Sequence, residues 1–262
     1  MTDATHALIQ HTSDARGVHQ ICLNRPDAFN ALSRALMTAL QQSLDAVAQD
    51  PQARVVVLSA QGKAFCAGHD LREMRASPSL AYYQALFKQC SRMMMSVQRL
   101  PVPVIAVVNG IATAAGCQLV AMCDLAVSSH ASKFAVSGVN LGLFCSTPSV
   151  ALSRNLSRKA AFEMLVTGDF ITAEQALVKG LVNAVVAPEA LDAAVQRYVD
   201  SILAKPRTAI AMGKKLFYEQ LEQPLEEAYA NAEHTMACNM MDDTALEGVQ
   251  AFIEKRNPSW KT

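Results

Sequence analysis

Val104-Ile105-Ala106-Val107-Val108-Asn109-Gly110-Ile111-Ala112-Thr113-Ala114-Ala115-Gly116-Cys117-Gln118 passes from a buried-strand pattern, through an Asn-Gly break and a run of small residues, into an apolar, helix-like segment, Leu119-Val120-Ala121-Met122. Alanine and glycine side chains let a ligand come close to the backbone. The first N–H groups of a helix have no partner within the helix and point outward, at the positive end of its dipole. A turn of this composition can grip an oxyanion.

Outward from this stretch the same strand–loop–helix order recurs. His19 to Leu23 reads as a strand that ends in the turn cluster Asn24-Arg25-Pro26-Asp27. Ser33 is a candidate cap for a helix whose Leu36, Leu40, Leu44 and Val47 form one apolar stripe, ended by Pro51. Arg54 to Leu58 is a short apolar strand of the buried kind, and the glycine-bearing loop Gln61 to Asp70 follows it. A helix is expected from about Leu80 to Leu100, then Pro101 and Pro103. Asp124 to Val127 and Phe134 to Val136 are further strand candidates. Beyond Thr147-Pro148 the pattern is mostly helical, with starts marked by Pro188, Pro206, Pro224 and Asp242-Asp243. No repeat and no low-complexity linker is present.

With 262 residues, 51% hydrophobic and 18% charged, the chain suits one large α/β core with a helical tail. The 23 basic and 23 acidic residues cancel, so no global field favours nucleic acid or an anionic membrane. Seven scattered cysteines show no metal-ligand spacing and suggest reduced thiols. The start Met1-Thr2-Asp3-Ala4-Thr5-His6 has neither a signal-peptide pattern nor the Arg-rich character of a presequence. The expectation is a cytoplasmic protein, or a mitochondrial-matrix one if eukaryotic. His6, His11, His19, His130 and His234 follow no pattern and are expected at the surface.

Several motifs in order along the chain resemble the crotonase superfamily, the enoyl-CoA hydratase/isomerase family. They are Leu23-Asn24-Arg25-Pro26 with Asn30-Ala31-Leu32; Gly62-Lys63-Ala64-Phe65-Cys66-Ala67-Gly68-His69-Asp70-Leu71; Val104 to Gln118 with Met122-Cys123-Asp124; Leu165-Val166-Thr167-Gly168 with Gly180-Leu181-Val182; and Phe252 to Arg256. Within the superfamily the chain resembles a divergent branch labelled enoyl-CoA hydratase domain-containing, which shares Ala-Thr-Ala-Ala-Gly-Cys-Gln and Leu-Phe-Cys-Ser-Thr-Pro. The resemblance implies an α/β fold: a ClpP/crotonase-like ββα spiral core over residues 1–196, and a helical C-terminal trimerisation region over 197–262. It also implies a homotrimer or dimer of trimers acting on an acyl-CoA thioester, with no cofactor besides the substrate's own coenzyme A, and no metal, nucleic acid or membrane partner.

By position, the resemblance assigns the oxyanion-binding N–H groups to His69 and Ala115, so the His69 side chain is as readily a surface or packing residue as a functional one. It places coenzyme A near Arg25, Lys63, Ala64 and Asp70, with Phe252 and Lys255 contributed by a neighbouring subunit. Asp27 stands where hydratases commonly carry lysine.

Hydration across C=C needs one carboxylate to take a proton and another to give one. The resemblance puts these at Gln118 and, twenty positions on, at Gly138; neither side chain can do it, and Gly138 is expected to offer only space. The remaining polar candidates are Asn140, Cys145 and Ser146, in a loop that feeds a helix. A thiol at a helix start can act as a nucleophile, but Ser146 or Thr147 as cap with Pro148 in the first turn is the plainer reading. Met93, Met94 and Met95 with Tyr82, Tyr83 and Phe87 are expected mainly as core, or else as a flexible acyl pocket. Two functions follow: an acyl-CoA enzyme of doubtful hydratase activity, with malonyl-type decarboxylation as a variant, or a non-catalytic acyl-CoA-binding scaffold.

Overall fold

The computed structural model describes residues 7–76 and 78–260. The N-terminal residues read above for a leader, His6 among them, lie outside the described residues.

Strands β1 (Ile9–Ser13) and β2 (Val18–Leu23) form an antiparallel hairpin, and α1 (Arg34–Gln49) follows. The unit then recurs as two strands and a helical piece. It gives β3 (Val55–Ala60), β4 (Ala64–Cys66), α2 (Leu71–Ala76) and α3 (Leu80–Arg99); then β5 (Val104–Val108), β6 (Ile111–Thr113) and α4 (Ala115–Met122). The next is β7 (Leu125–Ser129), β8 (Lys133–Ala135), α5 (Ser146–Asn155) and α6 (Arg158–Thr167). Next come β9 (Ile171–Thr172), α7 (Ala173–Lys179), β10 (Ala184–Val186) and α8 (Leu191–Leu203), before α9 (Arg207–Gln220), α10 (Leu225–Met240) and α11 (Asp243–Ile253).

The first strands of the three middle units, β3, β5 and β7, join both strands of the hairpin and β10 in a six-stranded sheet of order β1-β2-β3-β5-β7-β10, parallel from β2 onward. Their second strands, β4, β6 and β8, form a four-stranded sheet with β9, in the order β4-β6-β8-β9. This is the ββα spiral the resemblance implies. Beyond Thr147 the chain is mostly helical, as its pattern reads; β9 and β10, of two and three residues, are the additions, too short to show a period.

Alternation explains the all-apolar strands of the larger sheet. Val56, Leu58, Val104 and Ala106 face the main core, whereas Val55, Val57, Ile105 and Val127 face a second cluster with Leu191, Ala194, Val195 and Val199 of α8. Helices thus cover both faces, which calls for near-continuous apolar runs. Ser33 caps α1 by accepting the Leu36 N–H at 3.1 Å.

One buried polar cluster fastens α9 to this core. Lys214 Nζ donates to Asp124 Oδ2 at 2.7 Å and to the carbonyls of Val102 and Val97 at 2.9 and 3.2 Å. Asp124 also accepts the Val104 N–H and the Tyr218 hydroxyl, at 2.6 and 2.8 Å. Burial lowers the Lys214 pKa, against the pull of Asp124.

Two histidines correct the surface expectation. His19 is buried; its Nδ1 lies 3.0 Å from His11 Nε2 and its Nε2 lies 3.0 Å from Asp50 Oδ2. The antiparallel hairpin sets both rings side by side, and the end of α1 supplies the carboxylate, neither of which a local pattern reveals. His130 and His234 are exposed as expected. The seven cysteines are all free thiols. No described helix is long and apolar enough to cross a membrane.

Candidate functional site

Because β4 and β6 are parallel neighbours, their C-terminal ends lie side by side. The chain leaves β4 through Ala67-Gly68-His69 and leaves β6 through Ala114-Ala115. Gly68 sits at φ +88°, and a Cβ there would lie 2.8 Å from the Ala114 Cβ. A Cβ on Gly116 would lie 2.1 Å from the Cys66 carbonyl oxygen, so only glycine lets α4 start this close to β4.

Leu32 anchors the first loop: its N–H donates to the Gly68 carbonyl at 2.7 Å, and its carbonyl accepts from the Asp70 N–H at 3.2 Å. In such a bridge the intervening amide, that of His69, faces away from Leu32. Neither it nor the N–H of Ala115, first residue of α4, donates to a protein acceptor among the described residues. His69 and Ala115 both line a cavity of about 330 Å³. Its walls are largely apolar, with Leu71, Met74, Phe87, Leu141, Leu143 and Phe144; among the described residues no aspartate or glutamate lines it.

The strained residue here is Ala114, at φ 52° and ψ −120°, a conformation that favours glycine. Ala114→Gly is expected to stabilise the fold by about 1 kcal/mol, the released strain exceeding the added chain entropy. Chemical denaturation would register this as a higher midpoint; a lower one refutes the strain argument.

Gln118 does not reach this cavity. Its side chain is buried with Oε1 unpartnered, and it lines an adjoining cavity of about 640 Å³ between α3, α5 and α9, with Met94, Met95, Met122, Val150 and Tyr218. Thr147 lines both cavities. Gly138 does line the first, but not as open space, which corrects the expectation from its sequence. A Cβ there would meet the Leu143 carbonyl oxygen at 2.4 Å and Cys145 Sγ at 2.7 Å. The chain itself folds back into the volume a side chain at 138 would take.

Cys145 is the N-cap of α5 and makes no side-chain capping bond; Ser146 and Thr147 lie inside the helix, which corrects their reading as caps. Ser146 Oγ instead donates back to the Phe144 carbonyl at 3.3 Å. Burial raises the Cys145 thiol pKa despite a bond from the Gly138 amide, which works against a thiolate nucleophile. Asn140 lies outside the cavity wall and donates weakly to the Gly168 carbonyl at 3.4 Å. Of the Met and aromatic stripe, Phe87 reaches the first cavity, Met94 and Met95 the second, and Met93 is core.

The His69 ring stands edge-on to Phe87, with centroids 5.4 Å apart and planes at 82°. Its Nε2 is buried without a partner. Burial pushes its pKa from the ordinary 6.5 down to about 4. The native state therefore binds fewer protons than the unfolded chain between those values, and stability is lost as pH falls through that window. At 1.36 kcal/mol per unit, His69 should remove about 3 kcal/mol between pH 7 and pH 4. Urea midpoints for wild type and His69→Gln across this range would test it. Equal losses in the two proteins would mean that His69 is not the responsible group.

The residues assigned to coenzyme A fall in two places. Arg25 Nη1 donates to Asp70 Oδ2 at 2.7 Å and to the Ala31 carbonyl at 3.1 Å. Burial alone would raise the Asp70 pKa, but Arg25 and the Glu73 and Arg72 amides outweigh it and hold the carboxyl below its ordinary value. Asn30, fully buried, bridges the two loops by donating to the carbonyls of Gln61 and Ala64, both at 2.8 Å. Lys63 is exposed beside them. Phe252, 85% exposed, and Lys255, at φ 56°, stand at the end of α11.

Sequence reasoning missed the burial of His69 Nε2, the strain at Ala114 and the cavity that Gln118 lines. The adjacent Gly68 and Gly116, each preceded by a small residue, were the available signal for two loops in contact.

The family model described as Enoyl-CoA hydratase/isomerase matches residues 13–262. A crystal structure of an enoyl-CoA hydratase from Mycobacterium smegmatis is 63% identical, covers 97% of this chain and 99% of its own, and superposes with a TM-score of 0.96. That of human enoyl Coenzyme A hydratase domain-containing protein 3 is 43% identical with a TM-score of 0.92, over 97% of this chain and all (100%) of its own. Among relatives by sequence, the mouse (Mus musculus) Enoyl-CoA hydratase domain-containing protein 3, mitochondrial, is 45% identical over 249 residues, 95% of this chain and 83% of that protein. Fold, motif order and a family match over nearly the whole length agree, and the chain belongs to the enoyl-CoA hydratase/isomerase family of the crotonase fold.

Proposed function

We propose that the chain binds an acyl-CoA thioester with its carbonyl oxygen between the His69 and Ala115 N–H groups, and stabilises the enolate or oxyanion formed there. One observation carries this reading: two unpartnered amides at adjacent parallel strand ends, in residues that both line one apolar cavity. Each such donor is worth roughly 3–4 kcal/mol in a transition state. Arg25, Lys63, Ala64 and Asp70 would hold the coenzyme A moiety, and Phe252 and Lys255 of a neighbouring copy would complete its site. The exposed Phe217, Leu221, Leu225, Tyr229 and Phe252 of α9 to α11 support burial in a trimer or a dimer of trimers. No separate cofactor enters this reading, and a cytosolic or mitochondrial-matrix setting suits it.

Efficient hydration is not part of the proposal. Gln118 and Gly138 carry no proton, and the loss of one general acid or base costs roughly 10²–10⁴ in rate. The test is crotonyl-CoA hydration followed by loss of enoyl absorbance, alongside calorimetric binding of butyryl-CoA. Binding with turnover at least ~10²-fold below that of a glutamate-bearing relative is expected. Robust turnover that survives Gln118→Ala would refute the acid/base argument, and absence of binding would refute the thioester reading.

That no carboxylate lines the cavity among the described residues favours, as a second reading, a non-catalytic acyl-CoA-binding scaffold. Malonyl-type decarboxylation, which needs an oxyanion hole but little acid/base help, is a further alternative.

A further inference from the structure

We propose that His11, His19 and Asp50 form a proton-sensitive latch, which ties strand β1 to the end of α1 near neutral pH and releases it in mild acid. None of the three lines the thioester cavity, and the latch stands independently of the function proposed for it.

The hairpin register pairs His11 with Ile21 and Ser13 with His19, so the two imidazoles are diagonal neighbours on one face. Their centroids are 5.3 Å apart, and His11 Nε2 lies 3.0 Å from His19 Nδ1. On its other side His19 Nε2 meets Asp50 Oδ2 at 3.0 Å. The Gln52 amide, with His19 and Arg207, outweighs burial and holds the Asp50 carboxyl below its ordinary value, so it stays ionised in mild acid. A carboxylate only accepts. His19 therefore carries its proton on Nε2, and its Nδ1 accepts from His11 Nε2.

One more proton fits on His11 Nδ1, which has no partner among the described residues, and every bond survives. A second has only His19 Nδ1 left, where it confronts the His11 N–H and breaks the contact. The surroundings oppose that charge as well. Among the described residues Asp50 is the only carboxylate bonded to either ring; Arg207 of α9 faces Asp50, and Arg54, before β3, faces Arg207. Burial, and then His19, lowers the His11 pKa from the ordinary 6.5. The latched form thus binds fewer protons than the open one once pH falls below that value, and it loses stability there. Strand β1 is the element such a loss can free: it lies at the sheet edge, and Ile9 is its only buried residue. Its release bares the unpaired edge of β2.

Hydrogen exchange of the Ile9–Ser13 amides between about pH 7.5 and pH 5 tests this in wild type and His11→Gln. Below pH 6.5 the wild-type protection factors should fall roughly tenfold per pH unit, the response to one proton. Small amounts of urea should not deepen the fall, because opening one strand exposes little surface. The glutamine amide does not titrate, and it can donate to His19 Nδ1 or accept from it. Protection of β1 in His11→Gln should therefore vary far less with pH. Any contribution from His69 is the same in both proteins and cancels in their comparison. A flat wild-type profile overturns the proposal. So does an equal fall in His11→Gln, or a urea dependence that marks opening of the whole molecule.

Discussion

Replacing Lys214 by methionine should cost about 3–5 kcal/mol of stability, because it strips the counter-charge from a buried carboxylate. Lys214 and Asp124 side chains are only 7% and 14% exposed, and Asp124 would keep just the Val104 amide and the Tyr218 hydroxyl. The carbonyls of Val97 and Val102 would lose a donor in the same step. For a chain of this size such a loss lowers the melting temperature by roughly 10 °C. A second change, Asp124→Asn, should recover part of it by removing the orphaned charge. Urea unfolding of the single and double variants distinguishes the cases: a loss below about 1 kcal/mol in Lys214→Met would place the pair with ordinary surface bridges.

Gly116→Ala should be comparably damaging, and it should also disable the site. The new methyl group would meet the Cys66 carbonyl carbon and oxygen at 2.7 and 2.1 Å, and both belong to backbone that β4 holds in its sheet. Relief requires α4 to shift away from β4, which moves the Ala115 N–H out of line with that of His69. Overpacking of this kind costs about 3 kcal/mol, since no flexible side chain can yield. Butyryl-CoA binding should fall with it. A variant that melts and binds like wild type would mean that the two loops tolerate separation.

The long elements were legible because each advertises itself locally. Ser33, Pro206, Pro224 and Asp242 cap the helices predicted to begin there, and the runs Val55–Ala60 and Val104–Val108 are strands packed on both faces. The three-residue strands β4 and β6 were hidden in glycine-bearing loops, yet their pairing is what aligns the two amides. Residue identity likewise pointed to His69, Ala115 and Gln118 without telling where each side chain goes. Gln118 lines the adjoining cavity and His69 stands edge-on to Phe87 because of packing by α3 and α9, elements that no local pattern around either residue announces. Lys214 carries no local signal at all; its partner lies 90 positions away.

The way the chain closes over Gly138 bears on how this protein could ever be re-engineered toward water addition. Installing glutamates at 118 and 138 would not transplant a working acid/base pair. The first would start from a side chain turned into the adjoining chamber, and the second would collide with a main-chain oxygen and a sulfur atom. Any route to that chemistry has to remodel the Leu143–Cys145 turn before, or together with, the acids it would shelter. The two positions are therefore coupled to a third element, and single substitutions tried one by one should each look like failures.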